Sequence, residues 1–227
     1  MSKKELLKAA FIKSLPVMCS YVFVAIAYGI MMEESGLAWY YSLLTSAAVY
    51  TGAFQFVLIT FLSGGASILT IALTALLMNS RQTFYSLTFV NDFRRMGRKK
   101  LYMIHTMTDE TYAVNCSLDL PEKDRHSVMF YVAVMSKGSW IIGSVLGGVL
   151  GQLIPFELEG VDFSMTALFV VIFVDRWEKA EKRYPALIGL GVGIACLLIF
   201  GQSGFMLPAL LISSALLILF GKKEEAK

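Results

Sequence analysis

The sequence predicts an all-α membrane protein, a polytopic helix bundle with broken or re-entrant helices. Three observations carry this. Hydrophobic residues make up 56% of the chain and charged ones only 16%, against roughly a quarter charged in a soluble domain. Charge-free stretches recur at Ser14 to Met32, Ser35 to Ser80, Gly138 to Phe156, Phe163 to Val174 and Tyr184 to Gly221. Since about 20 apolar residues cross the hydrocarbon core once, and the second and last stretches are long enough for two passages each, about seven segments follow. The third observation is the confinement of Lys and Arg to the ends of these stretches, a topology signal and not a nucleic-acid footprint.

The whole chain reads as one membrane transport domain, residues 1–227. Residues 1–13, with Lys3, Lys4, Lys8 and Lys13, read as a basic amphipathic helix at the interface. They resemble the start of a signal peptide, but no small-residue cleavage pattern closes the hydrophobic run before Glu33, so the first helix is expected to be retained. Residues 14–90 form a first half. Pro16 opens segment one, where a missing N–H costs nothing, and the run from Ser35 divides at Ser63-Gly64-Gly65 into segments two and three. Residues 91–126, with Arg94, Arg95, Arg98, Lys99 and Lys100, read as a cytoplasmic polar connector. Residues 127–221 form a second half. Segment four ends in the base-free stretch from Pro155 to Gly160, expected outside. Segment five starts at Asp162 and returns to Arg176 and Lys179, and segments six and seven form a hairpin around Gly201 to Gly204. The tail 222–227 places the C-terminus in the cytoplasm.

The first half poses a conflict. Three full crossings cannot join a cytoplasmic N-terminus to a cytoplasmic Arg94. Either the N-terminus is external, which would give two halves of opposite orientation and an inverted repeat, or one segment does not span. The favoured candidate is segment two, entering and leaving on one side around a break at Gly52, since irregular backbone is tolerated at membrane depth where it lines a cavity.

Polar residues within these runs are the site candidates, because burying them in hydrocarbon is expensive. Gly52 and Gln55 sit among Tyr50, Phe54 and Phe56. They read as a helix break whose free backbone groups and amide contact a ligand, or as a close helix contact with Gln55 bonded to a neighbour. Asn79-Ser80-Arg81-Gln82 interrupts segment three. With Gly64 and Gly65 at one surface, a rise of ~1.5 Å per residue puts Asn79 roughly 20 Å and Gln55 roughly 13 Å deep. Arg81 would pair with a substrate carboxylate through its planar fork or snorkel to headgroups. Thr108-Asp109-Glu110-Thr111 offers two carboxylates for proton or amine chemistry, or simply the capped first turn of a helix. Ser139, Gly143, Gly147 and Gly151 recur every fourth residue on one face, a packing ladder. Trp140 and Lys137 flank it, and Lys137 reads most simply as a snorkelling residue. His105 and His126 are isolated, and Cys19, Cys116 and Cys196 show no disulfide or metal spacing. No metal site and no cofactor is expected. Neither hydrolase nor nucleotide-binding motifs occur, so transport stands ahead of catalysis.

Leu15-Pro16, Tyr21, Ala27, Gly29-Ile30, Thr51-Gly52-Ala53-Phe54-Gln55-Phe56, Asn79-Ser80-Arg81, Thr108-Asp109-Glu110-Thr111-Tyr112-Ala113, Trp140 and the glycines to Ile154-Pro155 and Val161-Asp162-Phe163 follow one another in this order. The set resembles the AzlC family, large subunits of branched-chain amino acid exporters, over nearly the whole chain. The resemblance implies a multi-pass bacterial inner-membrane exporter of branched-chain or similar apolar amino acids. It also implies a small AzlD-type membrane subunit as partner, the lipid bilayer as setting and no nucleic acid. The family's AG-x-x-QF motif falls on Gly52 and Gln55, its N-x-R-H motif on Asn79 and Arg81, and its T-D-E motif on Thr108, Asp109 and Glu110. Thr51, Ser80 and Gln82 replace the usual alanine, leucine and histidine. The expected substrate site is Gly52, Gln55, Asn79 and Arg81 with Phe54 and Phe56 receiving the aliphatic side chain; a proton gradient is the expected energy source because no nucleotide-binding motif occurs, with Asp109 and Glu110 as coupling groups. The alternative is an accessory or structural subunit that carries no substrate itself.

Overall fold

A computed structural model describes residues 1–153, 170, 173–174, 177–178 and 183–225, apart from the side chains of residues 81, 202–204, 206–207 and 219–225. The expected segment five and the loop from Pro155 to Gly160 lie outside the described residues. Those described form α-helices and no strand: α1 (Lys3–Glu34), α2 (Trp39–Ala48), α3 (Gly52–Ser63), α4 (Ile68–Thr88), α5 (Val90–Arg95), α6 (Lys99–His105), α7 (Asp109–Cys116), α8 (Glu122–Leu153), α9 (Tyr184–Gly204) and α10 (Met206–Glu225). Among them Lys3–Glu34, Glu122–Leu153 and Tyr184–Gly201 are long and apolar enough to cross a membrane. The chain divides into two compact units, residues 1–63 with 79–159, and residues 64–78 with 160–227.

The first unit is built on α1 and α8, which run parallel. Their contacts advance together: the Met1 amine meets Asp124 at 3.2 Å, the Tyr21 and Trp140 rings lie 5.4 Å apart, and Gln152 donates to Glu33 at 3.3 Å. Small residues permit this contact. A Cβ on Gly147 would strike the Ile26 carbonyl and lie 2.8 Å from the Ile26 Cα, one on Gly143 would lie 2.8 Å from the Ala25 Cβ, and one on Gly29 would strike the Ser144 carbonyl. Gly151 faces Glu33 in the same way. Residues 1–13 are not a separate element: α1 is continuous from a capping box at Ser2 and Glu5 through Pro16. Leu6 and Ala10 are buried against Val128, Met129 and Val132, which holds this stretch upright beside α8.

Between α1 and α4 the chain makes a re-entrant hairpin. α2 descends antiparallel to α8. A Cβ on Gly148 would lie 2.9 Å from the Trp39 Cα, and the Ser46 hydroxyl donates to Ser144 Oγ at 2.8 Å. The helix stops at Tyr50, whose φ of 47° is left-handed, an uncommon and costly conformation for a bulky residue. α3 then turns back. Gln55 reaches Ser46, and Tyr28 touches both arms, its hydroxyl 2.7 Å from Thr45 Oγ1 and its ring 5.4 Å from Phe56. A continued helix would separate residues 45 and 56 by roughly 16 Å. The break expected near Gly52 is therefore present, and the Met1 amine lies beside Asp124 at the start of α8.

The connector 91–126 is more than a polar loop. Lys99 lies over the Phe130 ring at 4.3 Å and Tyr102 packs on the same ring at 5.6 Å, so α6 climbs alongside α8. The chain turns at Thr106 to Thr108 and descends through α7, where Tyr112 meets Tyr85 at 4.5 Å and Phe89 at 5.7 Å. Phe93, Met103, Met107 and Leu118, scattered among basic residues, supply buried surface that folds it. In the second unit α9 and α10 pack on each other. Leu187, Leu190, Ile194 and Leu198 of α9 are exposed, the surface of a helix made to face lipid.

Candidate functional site

The two hairpin tips meet halfway along α8. From one side comes Val49 to Gly52, from the other His105 to Glu110. The Tyr50 and His105 rings stand 6.3 Å apart. Trp140 marks the level: its ring lies 5.4 Å from Tyr21 and 6.3 Å from Tyr28, and a Cβ on Gly52 would be 3.8 Å from it.

Gln55 is wholly buried and holds the first tip together. Its Oε1 accepts from the Thr51 backbone N–H at 3.3 Å, satisfying a donor that the start of α3 leaves open. Its Nε2 donates to Ser46 Oγ at 3.3 Å, and Ser144, which accepts from Ser46, donates to the Trp140 carbonyl at 2.7 Å. The amide thus locks both arms of the hairpin to α8. Phe54 and Phe56 are buried in the same packing.

The second tip is a capping box, with Thr108 and Thr111 exchanging side-chain and backbone hydrogen bonds. Asp109 and Glu110 occupy the first turn, where the helix dipole favours acids. Glu110 does more than that. Its Oε2 accepts from the Tyr21 hydroxyl at 2.7 Å, and the same hydroxyl lies 2.7 Å from Thr108 Oγ1. Tyr21 sits well inside α1, roughly 27 Å from Lys3 at ~1.5 Å per residue, so a carboxylate reaches the middle of the unit. Two buried polar atoms near it, Tyr50 Oη and Trp140 Nε1, have no hydrogen-bond partner among the described residues.

Between the tips opens a cavity of about 690 Å³ lined by Val49 and Thr51, by Asn79, Gln82, Thr83 and Ser86 along α4, by Val90, Phe93 and Arg94, and by Lys100, Ile104 and His105. Asn79 and the first tip therefore share one wall. Gln55 stands behind that wall, and Phe54 and Phe56 do not line it. Arg81 lies on α4 beside Asn79, its side chain outside the described residues. Ser139, Gly143, Gly147 and Gly151 lie on the face of α8 that runs toward α1.

Sequence reasoning missed Tyr21, Tyr28, Trp140 and the Ser46–Ser144 pair as parts of this site. Their signal was available only as hydroxyls and rings at helical spacing, indistinguishable from ordinary packing until α1 and α8 are placed side by side.

A family model described as AzlC protein matches residues 16–154, which includes both hairpins and the cavity. This chain belongs to the AzlC family. It is 36% identical to the branched-chain amino acid transport protein AzlC of Bacillus subtilis (strain 168), over 96% of this chain and 86% of that protein. It is 34% identical to an uncharacterized membrane protein of Haemophilus influenzae over 91% of this chain and 86% of the relative. To the inner membrane protein YgaZ of Escherichia coli (strain K12) it is 28% identical, over 80% of this chain and 78% of that one. No solved structure matches the chain. The AzlC motifs read along the sequence lie at the two tips and on α4 between them, and the chain is a membrane protein of a transport family.

Proposed function

We propose that this protein is a secondary exporter of branched-chain or similar apolar amino acids across the bacterial inner membrane, driven by the proton gradient and assembled with a small AzlD-type subunit. The observation that carries the reading is the cavity at the meeting of two hairpin tips, where hydroxyls and amides of Thr51, Asn79, Gln82 and Ser86 stand beside Val49, Leu87 and Ile104. Such a mixed lining suits a small zwitterion with an aliphatic tail. The B. subtilis relative, named for branched-chain amino acid transport, supports the substrate class.

In this reading Asn79 and the free backbone groups of the first tip bind the polar end of the substrate. Gln55 positions that tip without touching the ligand, and Phe54 and Phe56 brace it. The aliphatic chain meets Val49, Leu87 and Ile104. Arg81 lies near the carboxylate. The face on which α1 and α8 begin is cytoplasmic, as is the C-terminus, and the cavity opens where Arg94 and Lys100 line it. The opposed tips close the path beyond it, so export requires them to part, the alternating access expected of transporters built on broken helices. Glu110, hydrogen-bonded to Tyr21, is the proton-carrying group and Asp109 its neighbour.

Vesicles loaded with labelled leucine, valine and methionine test this. Efflux is expected from vesicles holding this chain with its small subunit, to be abolished by a protonophore, and to fall at least tenfold in Asn79→Ala. Unchanged efflux in correctly inserted Asn79→Ala would remove the cavity from the pathway.

A further inference from the structure

Among the described residues Lys137 is a cation without a counter-charge in salt-bridge reach. It lies 15 residues beyond Glu122 on α8, roughly 22 Å along the helix at ~1.5 Å per residue. Its ammonium stands over two rings, 5.4 Å from the centre of Tyr50 and 5.6 Å from that of Tyr102. Among the described residues no carboxylate comes within salt-bridge distance of it. A snorkelling lysine extends its head past its neighbours to the interface. This one is half-buried, its head held over Tyr50 from the first hairpin and Tyr102 from the second.

Ring faces attract an ammonium only weakly compared with an anion, and a cation at this depth is retained where a partner or a pathway requires it. Among the described residues no protein carboxylate fills that role. Tyr50 separates Lys137 from the cavity by one aromatic layer: the residues on either side of it, Val49 and Thr51, line that cavity, as does His105 next to its ring. Among the described residues no Asp or Glu lines the cavity. Arg94 and Lys100, which line it, are exposed at the surface, where water already satisfies them.

We propose that Lys137 receives the carboxylate of the transported amino acid, and that the Tyr50 and Tyr102 rings hold its ammonium in the empty site and release it when substrate enters. The idea rests on the transport reading above and adds a residue to it. It also links binding to movement. Lys137 bridges the Tyr50 ring of the first tip and the Tyr102 ring on the α6 arm of the second hairpin, so a carboxylate that draws its ammonium away loosens a contact between the two hairpins. The substrate must then carry a free carboxylate, and amides of the same amino acids are poor ligands.

The test is equilibrium binding of labelled leucine to the full chain in lipid nanodiscs, competed by unlabelled leucine or leucinamide. Wild type is expected to prefer leucine about tenfold or more, the scale of one charge-assisted hydrogen bond. Lys137→Gln loses a similar factor in leucine affinity together with the preference, and Lys137→Arg keeps the preference. Tyr102→Leu removes a competing ring face and binds leucine about twofold to fivefold tighter, a gain that a purely structural lysine would not produce. Lys137→Gln with wild-type discrimination overturns the proposal. So does no gain in Tyr102→Leu, which also serves should Lys137→Gln fail to fold. If wild type binds none of leucine, valine and methionine, the transport reading itself fails, and this proposal with it. If wild type binds them and the Lys137 variants do not differ from it, only the proposal fails.

Discussion

At the scale of single residues, the Tyr21–Glu110 pair and the Asp92 cluster carry the two clearest tests. Glu110 holds the hydroxyl of a buried tyrosine at 2.7 Å. The neutral amide in Glu110→Gln still accepts that bond but no longer takes up a proton. Efflux driven by a pH gradient is therefore expected to fall to the level seen without a gradient, while exchange of internal for external leucine continues. Equal loss of both activities would make Glu110 a structural acid. Asp92 of α5 tests stability instead. Burial pushes its carboxyl pKa up, but hydrogen bonds from Arg125 and His126 outweigh this and leave it below the usual carboxylate value. A depressed pKa in the folded state stabilises it above the unfolded value of about 3.9, and the benefit is lost as pH falls through the folded value. The melting temperature of wild type should thus drop more steeply below about pH 4 than that of Asp92→Asn, whose curve starts lower and runs flatter. Parallel curves would show that the cluster contributes nothing to stability.

At the scale of elements, the contact between α1 and α8 is the part on which the hairpins hang. Its glycines were legible in the sequence as a ladder, although their partner was not, because spacing names a face and says nothing of what lies against it. Gly29, isolated in segment one, turns out to answer them from the other helix. A methyl group on Gly147 meets Ile26 backbone atoms, which cannot rotate away, and so Gly147→Ala should destabilise the protein by about 1–3 kcal/mol, the cost of overpacking a filled contact. Gly138 lies on the same helix with nothing within 4 Å of a built Cβ. There Ala replaces Gly in a helix interior without a clash, a gain of about 0.5–1 kcal/mol. Thermal unfolding in detergent of this pair separates the effect of contact from that of helix propensity. Similar shifts in both variants would mean that α1 and α8 are not packed as described. The hairpins themselves were half legible. Gly52 suggested a break, but the residue that adopts the left-handed conformation is Tyr50, held there by its burial and by the lock of Gln55 on Ser46. No local propensity favours it. Residues 91–126 looked like a connector because their charges dominate the average, while the four buried apolar side chains Phe93, Met103, Met107 and Leu118 are too few to register as a pattern.

At the scale of the whole molecule, composition was enough to establish a helical membrane protein, and the polar interruptions marked the segments that meet at the cavity. Their meeting was not readable, since it depends on which helices run parallel. That point has a direct physical consequence. With three crossings the start of α1 and the start of α8 would lie on opposite faces, whereas a hairpin that returns to its own side puts them together, as the 3.2 Å contact between the Met1 amine and Asp124 requires. The turn after α1, at Gly36 with its φ of +77°, is then on the far face. Single cysteines at Ser2, Lys123 and Ser35, placed in a chain whose Cys19, Cys116 and Cys196 have been replaced, read this out through an impermeant maleimide. Ser2→Cys and Lys123→Cys should label together in inside-out vesicles and stay protected in right-side-out ones, with Ser35→Cys showing the opposite pattern. If Ser2→Cys and Lys123→Cys labelled from opposite sides, α2 and α3 would have to cross the bilayer as one helix. The tip at Tyr50, and the cavity built on it, could not then exist in the membrane.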